Sequence, residues 1–328
     1  LLIFVVVAVA HSLSPAVQIG DSRLSVPVAD AVIRHGSFDL RGNKVVAHLT
    51  NRYDLVTRDE RLLPFYPWPP MLLALPGVAI FTLAGRDPAE LHPSDPNQTW
   101  MIEIPTASVL VALTALVLAV IAMETMTGDL LRRRRFAVAV ALLYAFSTGA
   151  WSTGSRALWQ HTPSMLLLTA VVLFAIRIRR HWTNAVFFGA SLALAFAVRP
   201  TNAVAVATML VWLVVTNRQA LVRALGGAAA VAMGFVAISF ASYGSVLPPY
   251  YAATRLGGKR VLGFGETLAM NLVSPSRGLL IYDPVVLLAV AGVVILYRRH
   301  KLSGLSVAIV TVVVGQGFVI ARYGSTEG

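Results

Sequence analysis

Apolar runs close to the length of a membrane-crossing helix recur along this chain, and nothing else in it restricts the fold as strongly. They lie near 1–17, 64–84, 101–124, 136–152, 163–176, 183–198, 201–216, 224–243, 280–297 and 303–321. A crossing helix needs about 20 apolar residues, and several of these runs fall a little short. Only 13% of the residues are charged, about half the share of an ordinary soluble domain. That is too little charge to coat a water-facing surface, and the mean hydropathy of +0.72 agrees. The run from Leu1 to Val17 is weak at its end, and the last residues, Arg322 to Gly328, are polar. We therefore expect the natural protein to be longer at both ends.

The formal net charge is +12 over 328 residues. On a soluble domain that excess would point to nucleic acid. Here the basic residues gather in short connections: Arg132 to Arg135; Arg177, Arg179 and Arg180; Arg218 and Arg223; Arg298, Arg299 and Lys301. This is the pattern of cytoplasmic membrane loops, so no nucleic-acid partner is expected. The absence of cysteine excludes disulfides, thiolate metal sites and Cys nucleophiles.

The basic clusters also test the crossing count. With all four inside, the runs between successive clusters pair up as out-and-back hairpins, and 303–321 goes out. Parity then requires that 64–84 does not cross. Its prolines Pro64, Pro67, Pro69, Pro70 and Pro76 remove backbone donors, which lipid does not tolerate. Phe65, Tyr66 and Trp68 suit the interface. The expectation is an all-α, polytopic membrane protein with about nine crossings. Residues 1–328 form one transmembrane domain, with juxtamembrane helices in a large first outer loop at 18–100 and a second outer loop at 244–279. Smaller outer loops fall at 153–162 and around 199–202.

The polar chemistry lies in those outer loops. Asp21 sits in Gly20-Asp21-Ser22-Arg23, just past the first run. The stretch Leu24 to Leu40 follows, with Val26, Ala29 and Ile33 at helical spacing and Phe38 a little beyond. That spacing predicts a short amphipathic helix on the membrane surface. A carboxylate at a lipid–water boundary is poorly solvated, which suits a general base. Arg156, Arg199, Arg255, Lys259, Arg260 and Arg277 are all expected outside, against the positive-inside bias. A guanidinium fork matches phosphate oxygens, although snorkelling to headgroups explains such residues equally simply. Tyr243, Tyr250, Tyr251 and Tyr282 could stack on a sugar or merely sit at the interface. The seven His residues form no zinc-helix pair, and there is no Gly-rich phosphate loop. Asn97-Gln98-Thr99 matches a glycosylation sequon, which says nothing about catalysis.

Taken in order, five segments carry a resemblance: Gly20-Asp21-Ser22-Arg23; Tyr66-Pro67-Trp68-Pro69-Pro70; Ser155-Arg156-Ala157-Leu158-Trp159-Gln160-His161; Arg199-Pro200-Thr201-Asn202; and Ser274-Pro275-Ser276-Arg277-Gly278 continuing to Tyr282-Asp283-Pro284. Together they resemble bacterial membrane glycosyltransferases of the GT-C superfamily, nearest to protein mannosyltransferase-like (family 39) enzymes and the lipid A aminoarabinose transferase. The resemblance implies a GT-C-like fold in a bacterial inner membrane, with the active site outside. It implies a polyprenyl-phosphate-sugar donor and a lipid, glycan or protein acceptor, with membrane lipids around the protein. Asp21 maps to the catalytic carboxylate. Arg156, Arg199 and Arg277, with Lys259 and Arg260, are candidates for the donor phosphate. Arg23, His161 and Tyr282 are candidates for substrate contacts. Many relatives carry a second acidic residue beside the first, where this chain has Ser22 and Arg23, so Asp283 or Glu266 would take that role. No cofactor is implied. A divalent metal is compatible with the chemistry but not indicated by any ligand cluster.

Two rivals remain at the level of sequence. A transporter or flippase for a lipid-linked substrate predicts ionisable residues in mid-span, and these spans are nearly free of them. A non-catalytic scaffold on the same fold predicts no particular groove.

Overall fold

The computed structural model of the chain describes residues 1–15, 22–47, 54–88, 96–251, 263–276 and 278–323. The architecture is all-α with one two-stranded hairpin. In chain order, α1 (Leu2–Ser12) is followed by α2 (Ser25–His35), the short α3 (Lys44–Ala47), and strands β1 (Leu55–Arg58) and β2 (Arg61–Pro64). Then come α4 (Trp68–Met71), a 3-10 turn at Leu72–Ala74, α5 (Leu75–Leu83), α6 (Pro96–Thr125) and α7 (Leu130–Ser147). The chain continues with α8 (His161–Arg177), α9 (Trp182–Val198), α10 (Ala203–Thr216) and α11 (Arg218–Tyr243). It closes with α12 (Phe264–Val273), α13 (Leu279–Tyr282), α14 (Val286–Arg298) and α15 (Gly304–Tyr323).

Three of these helices, Met101–Thr125, Arg218–Tyr243 and Gly304–Arg322, are long and apolar enough to cross a membrane. Large apolar side chains face outward on others too, among them Leu288 on α14 and Phe187 on α9. Such a surface is disfavoured in water and suits lipid.

Packing begins on α6, which carries α1, α7 and α8. The α1–α6–α7 core is built of Val7, Ala112, Ala115, Ala119 and Ala141. Small side chains let helix backbones approach closely where lipid supplies no hydrophobic drive. α9 packs on α8 and, most intimately, on α11. There Gly189 meets the Ala224 carbonyl, and Gly227 meets the Val186 carbonyl. α10 packs on α15 and α11.

The bundle has two chemically distinct ends. At one, Glu124 at the end of α6 pairs with Arg177 and Arg180. Arg133 donates to the Met123 carbonyl there, and Asp129 caps α7. This basic end collects the clusters at 132–135 and 177–180. The opposite end carries α2, the hairpin, α4, α5 and α12.

At that opposite end α2 departs from the sequence expectation. One apolar face of Val26, Ala29 and Ile33 was the expectation; Ser25 through Ala31 are all buried, and Ile33 is 42% exposed. The helix is wedged between two apolar clusters rather than laid on a surface. Val26 and Ala29 pack with Ala74, Val78 and Ile102, while Leu24, Val28 and Ala31 pack with Phe38, Leu63 and Trp68. Gly36 ends it in a left-handed conformation at φ 61°.

The region 64–84 is helical from Trp68, with Pro67 at the cap and Pro69 and Pro70 in the first turn. A missing N–H costs nothing in that turn. The run at 280–297 is broken: α13 ends at Tyr282 and α14 begins at Val286. Pro284 drives the preceding Asp283 out of the helical region, to φ −126° and ψ 59°.

Candidate functional site

Three polar constellations occupy the end of the bundle away from the basic clusters. The first fixes the exit of α1. Arg156 is 1% exposed. Its Nη2 donates to the His11 carbonyl at 3.1 Å, its Nη1 reaches the Ser14 carbonyl at 3.4 Å, and Nε and Nη2 donate to Ser155 Oγ at 3.1 and 2.6 Å. The guanidinium also lies over the Trp151 ring, 5.2 Å from its centre. His11 Nε2 lies 3.0 Å from the Ala145 carbonyl and Nδ1 lies 2.6 Å from Ser155 Oγ. A carbonyl only accepts, so Nε2 carries the proton.

Beyond α1, Asp21 lies outside the described residues, but its two successors are anchored. Ser22 is buried and its hydroxyl faces the Glu103 carboxyl. The same carboxyl accepts the Leu158 amide at 3.2 Å. Arg23 forms a two-pronged pair with Asp54, at 2.5 and 2.7 Å, and the Asp54 side chain is wholly buried.

The second constellation joins two turns 38 residues apart: Arg199 Nη1 lies 2.6 Å from His161 Nδ1. Burial depresses the Arg199 pKa, and the Tyr250 hydroxyl opposes that shift. Trp159 stacks obliquely on His161, ring centres 5.9 Å apart. Asn202, three residues after Arg199, donates to Ser164 Oγ and to the Ala195 carbonyl. Those bonds hold the α9–α10 turn against the start of α8. Beside this pair runs an apolar groove of about 440 Å³ between α4, α6, α8, α9 and α11, with Trp68, Pro163, Leu194, Val198 and Phe235 among its walls. Pro163 and Val198, which line the groove, are near chain neighbours of His161 and Arg199, although neither His161 nor Arg199 is among its lining residues. Trp68 is held there by its Nε1 bond to Ser239 Oγ at 3.2 Å and by stacking on Phe235.

The third is a pocket of about 610 Å³ between the turn at 149–153, α12, α13 and α15. Asp283 lines it with Tyr282, Asn271 and Thr153. Burial raises the Asp283 pKa, and a bond from the Gly149 amide works against that rise.

The residues singled out by sequence therefore divide. Arg199 and His161 are together, as are Asp283 and Tyr282, whose hydroxyl donates to the Pro275 carbonyl at 2.6 Å. Arg156 and Arg23 are engaged by the protein's own acceptors. Glu266 caps its own helix, accepting the Gly263 amide at 3.0 Å. Asp21, Arg255, Lys259, Arg260 and Arg277 lie outside the described residues. Among the described residues no three His, Asp or Glu side chains converge as a metal would require. The sequence reading had no signal for Glu103, Asp54 or Asn271: single polar residues in apolar or loop sequence stand out only once their burial is known.

No protein-family model, curated protein or solved structure matches this chain.

Proposed function

We propose that this chain is a membrane glycosyltransferase that moves a sugar from a polyprenyl-phosphate-linked donor to a lipid, glycan or protein acceptor. In this reading it crosses a bacterial inner membrane about nine times. The basic end faces the cytoplasm, and the end bearing α2, the hairpin and Arg199 faces out.

The observation that carries the reading is an apolar groove whose walls include Pro163 and Val198, near chain neighbours of the Arg199–His161 pair. A polyprenyl phosphate is a long apolar chain with an anion at its tip. An apolar trough with a fixed guanidinium close in the chain to one of its walls offers complements to both parts. A transporter needs ionisable groups along a path through the membrane. Glu103 and Glu124 instead sit towards opposite ends of α6, and Glu124 is already paired.

The chemistry follows from the donor. Its phosphate is already a good leaving group, so the protein must stabilise the departing charge and deprotonate an acceptor hydroxyl. Asp21 takes that proton as the acceptor oxygen bonds to the anomeric carbon. The bond from that carbon to the phosphate oxygen breaks, its electron pair stays on the phosphate, and the anomeric centre inverts. Arg199 holds the phosphate in place. A positioned base contributes a factor of roughly 100 to 10,000, and a preorganised cation of this kind several kcal/mol.

The test is turnover of a labelled panel of polyprenyl-phosphate sugars by the full-length protein, wild type against Asp21→Asn. The reading predicts consumption of one donor by wild type and at least a hundredfold slower turnover by a variant that still binds it. Equal activity removes Asp21 from the role of base. Lipid binding without consumption by wild type, in the presence of an acceptor extract, favours transport or scaffolding.

A further inference from the structure

The pocket beside Asp283 shares no lining residue with the apolar groove, and two polar atoms of its lining residues are left without a partner among the described residues. Asp283 Oδ1 and the Asn271 side-chain nitrogen are both buried, and neither has a hydrogen-bond partner among the described residues. A buried polar atom left unpaired costs about 1–3 kcal/mol, and native proteins keep few of them without reason. The two residues that carry these atoms, Asp283 at the α13–α14 break and Asn271 on α12, line the same cavity. Its volume of about 610 Å³ lies within the usual range for small-molecule sites.

We infer that this pocket binds a neutral monosaccharide unit, with Asp283 accepting from its hydroxyls, Asn271 donating to its ring or hydroxyl oxygens, and Tyr282 flanking it. The choice of ligand follows from the lining. The one charged side chain among the described lining residues is the Asp283 carboxylate, which repels phosphate and carboxylate ligands. A polyol presents both donors and acceptors at hydrogen-bonding reach, as this mixed set requires. Apolar walls from Leu268, Leu272 and Ile320 match the C–H faces that sugars carry between their hydroxyls. The break at Asp283-Pro284 has a consequence here: a continuous helix from 279 to 298 would hold Asp283 in regular helical geometry, away from its bond to the Gly149 amide. This inference rests on the glycosyl-transfer reading for its biological sense. Its test reads sugar binding rather than transfer, so the two fail separately.

These 328 residues contain no cysteine, so with any cysteine outside them replaced by serine, a single engineered thiol reports the pocket cleanly. Leu272→Cys, in the full-length protein in detergent, is labelled with a water-soluble maleimide. The probes are the methyl glycosides of glucose, mannose, galactose and arabinose, with glucose 6-phosphate as the anionic control. We expect at least one neutral glycoside to slow labelling threefold or more and the phosphate ester to leave it unchanged. A Thr57→Cys control on the distant hairpin should feel neither. Adding Asp283→Asn or Asn271→Leu should remove the protection, with thermal unfolding measured on each to establish that it is folded. Protection by a polyprenyl-phosphate sugar as well would identify the bound unit as the donor's; protection by free glycosides alone would identify it as the acceptor's. The inference is overturned if no neutral glycoside slows labelling of Leu272→Cys, or if protection survives both pocket substitutions.

Discussion

Arg199 Nη1 stands 2.6 Å from His161 Nδ1, and that contact fixes the protonation of the ring. A guanidinium only donates, so Nδ1 must accept, and the imidazole is neutral with its proton on Nε2. The pair thus presents a single positive charge, braced by an aromatic ring and close in the chain to the walls of an apolar groove. Arg199→Ala should weaken binding of a polyprenyl-phosphate lipid at least tenfold, which is about 1.4 kcal/mol. Arg199→Lys should recover only part of that, because an ammonium keeps the charge but not the planar fork. Lipid binding by native mass spectrometry or scintillation proximity reads both. Unchanged affinity in Arg199→Ala would remove this residue from the donor site.

Arg156 should behave in the opposite way. Its donors hold the carbonyls at the end of α1 and the Ser155 hydroxyl, and burial lowers its pKa. Arg156→Ala removes those bonds, at roughly 1–3 kcal/mol for any group left buried and unpaired, although the His11 carbonyl keeps the Ser14 amide and Ser155 keeps His11 Nδ1. The expected result is a clear fall in the thermal unfolding midpoint, followed by tryptophan fluorescence, with Trp151 among the reporters. A variant as stable as wild type that has lost only lipid binding would return Arg156 to the role of phosphate ligand.

The helices on apolar runs were legible in the sequence because lipid demands long unbroken apolar stretches whose backbone groups pair internally. The hairpin was not. Its turn is Asp59-Glu60, both at positive φ of 47° and 62°, where Asn-Gly would have been the readable signal. The burial of α2 was not legible either. Periodicity identifies an apolar face but not a second partner, and a buried Asp30 paired with Arg34 reads as solvated in sequence. At the site, Arg199 and His161 each carried a local signal, but their contact depends on how the α8–α9 hairpin brings two turns together. Asp54 and Glu103 looked like any acidic residue near a wet loop until Arg23 and the Leu158 amide were found on them. The break that places Asp283 in its pocket has a cause visible in the chain, the proline that follows it.

Asp39 ties the segment after α2 to the hairpin, and this tie should be acid-labile. Burial alone would raise its pKa. The amides of Leu62 and Arg41 and the Arg41 guanidinium outweigh that and hold it below the ordinary range. The folded form therefore binds its proton less readily than the unfolded chain. The stabilisation is fully present above the ordinary aspartate pKa near 4 and is lost as pH falls through the folded value. Hydrogen exchange at the Leu62 amide should accelerate, relative to neighbours on β2, as the pH drops below about 4. In Asp39→Asn that acid step should be absent. A Leu62 profile that is identical in both proteins would mean that this carboxylate does not hold the hairpin.

The crossing of α9 and α11 is set by two glycines, and it should be intolerant of one methyl group. A Cβ on Gly189 would fall 1.8 Å from the Ala224 carbonyl oxygen, and one on Gly227 would fall 2.1 Å from the Val186 oxygen. Both obstacles are backbone, which cannot swing aside, so the helices must separate. Overpacking of this kind costs about 1–3 kcal/mol. Gly226, one residue along α11, would meet nothing within 4 Å. There the same change should be neutral or stabilising by up to about 1 kcal/mol, the usual helix-propensity gain. The double variant Gly189→Ala, Gly227→Ala should cost less than the sum of its parts, because the first methyl already opens the crossing for the second. Leu194 on α9 and Val231 on α11 both line the apolar groove, so prising these helices apart should also lower affinity for the lipid chain. Thermal unfolding of the four proteins beside wild type decides the matter. If Gly189→Ala and Gly226→Ala behave alike, the helices are not in the contact described.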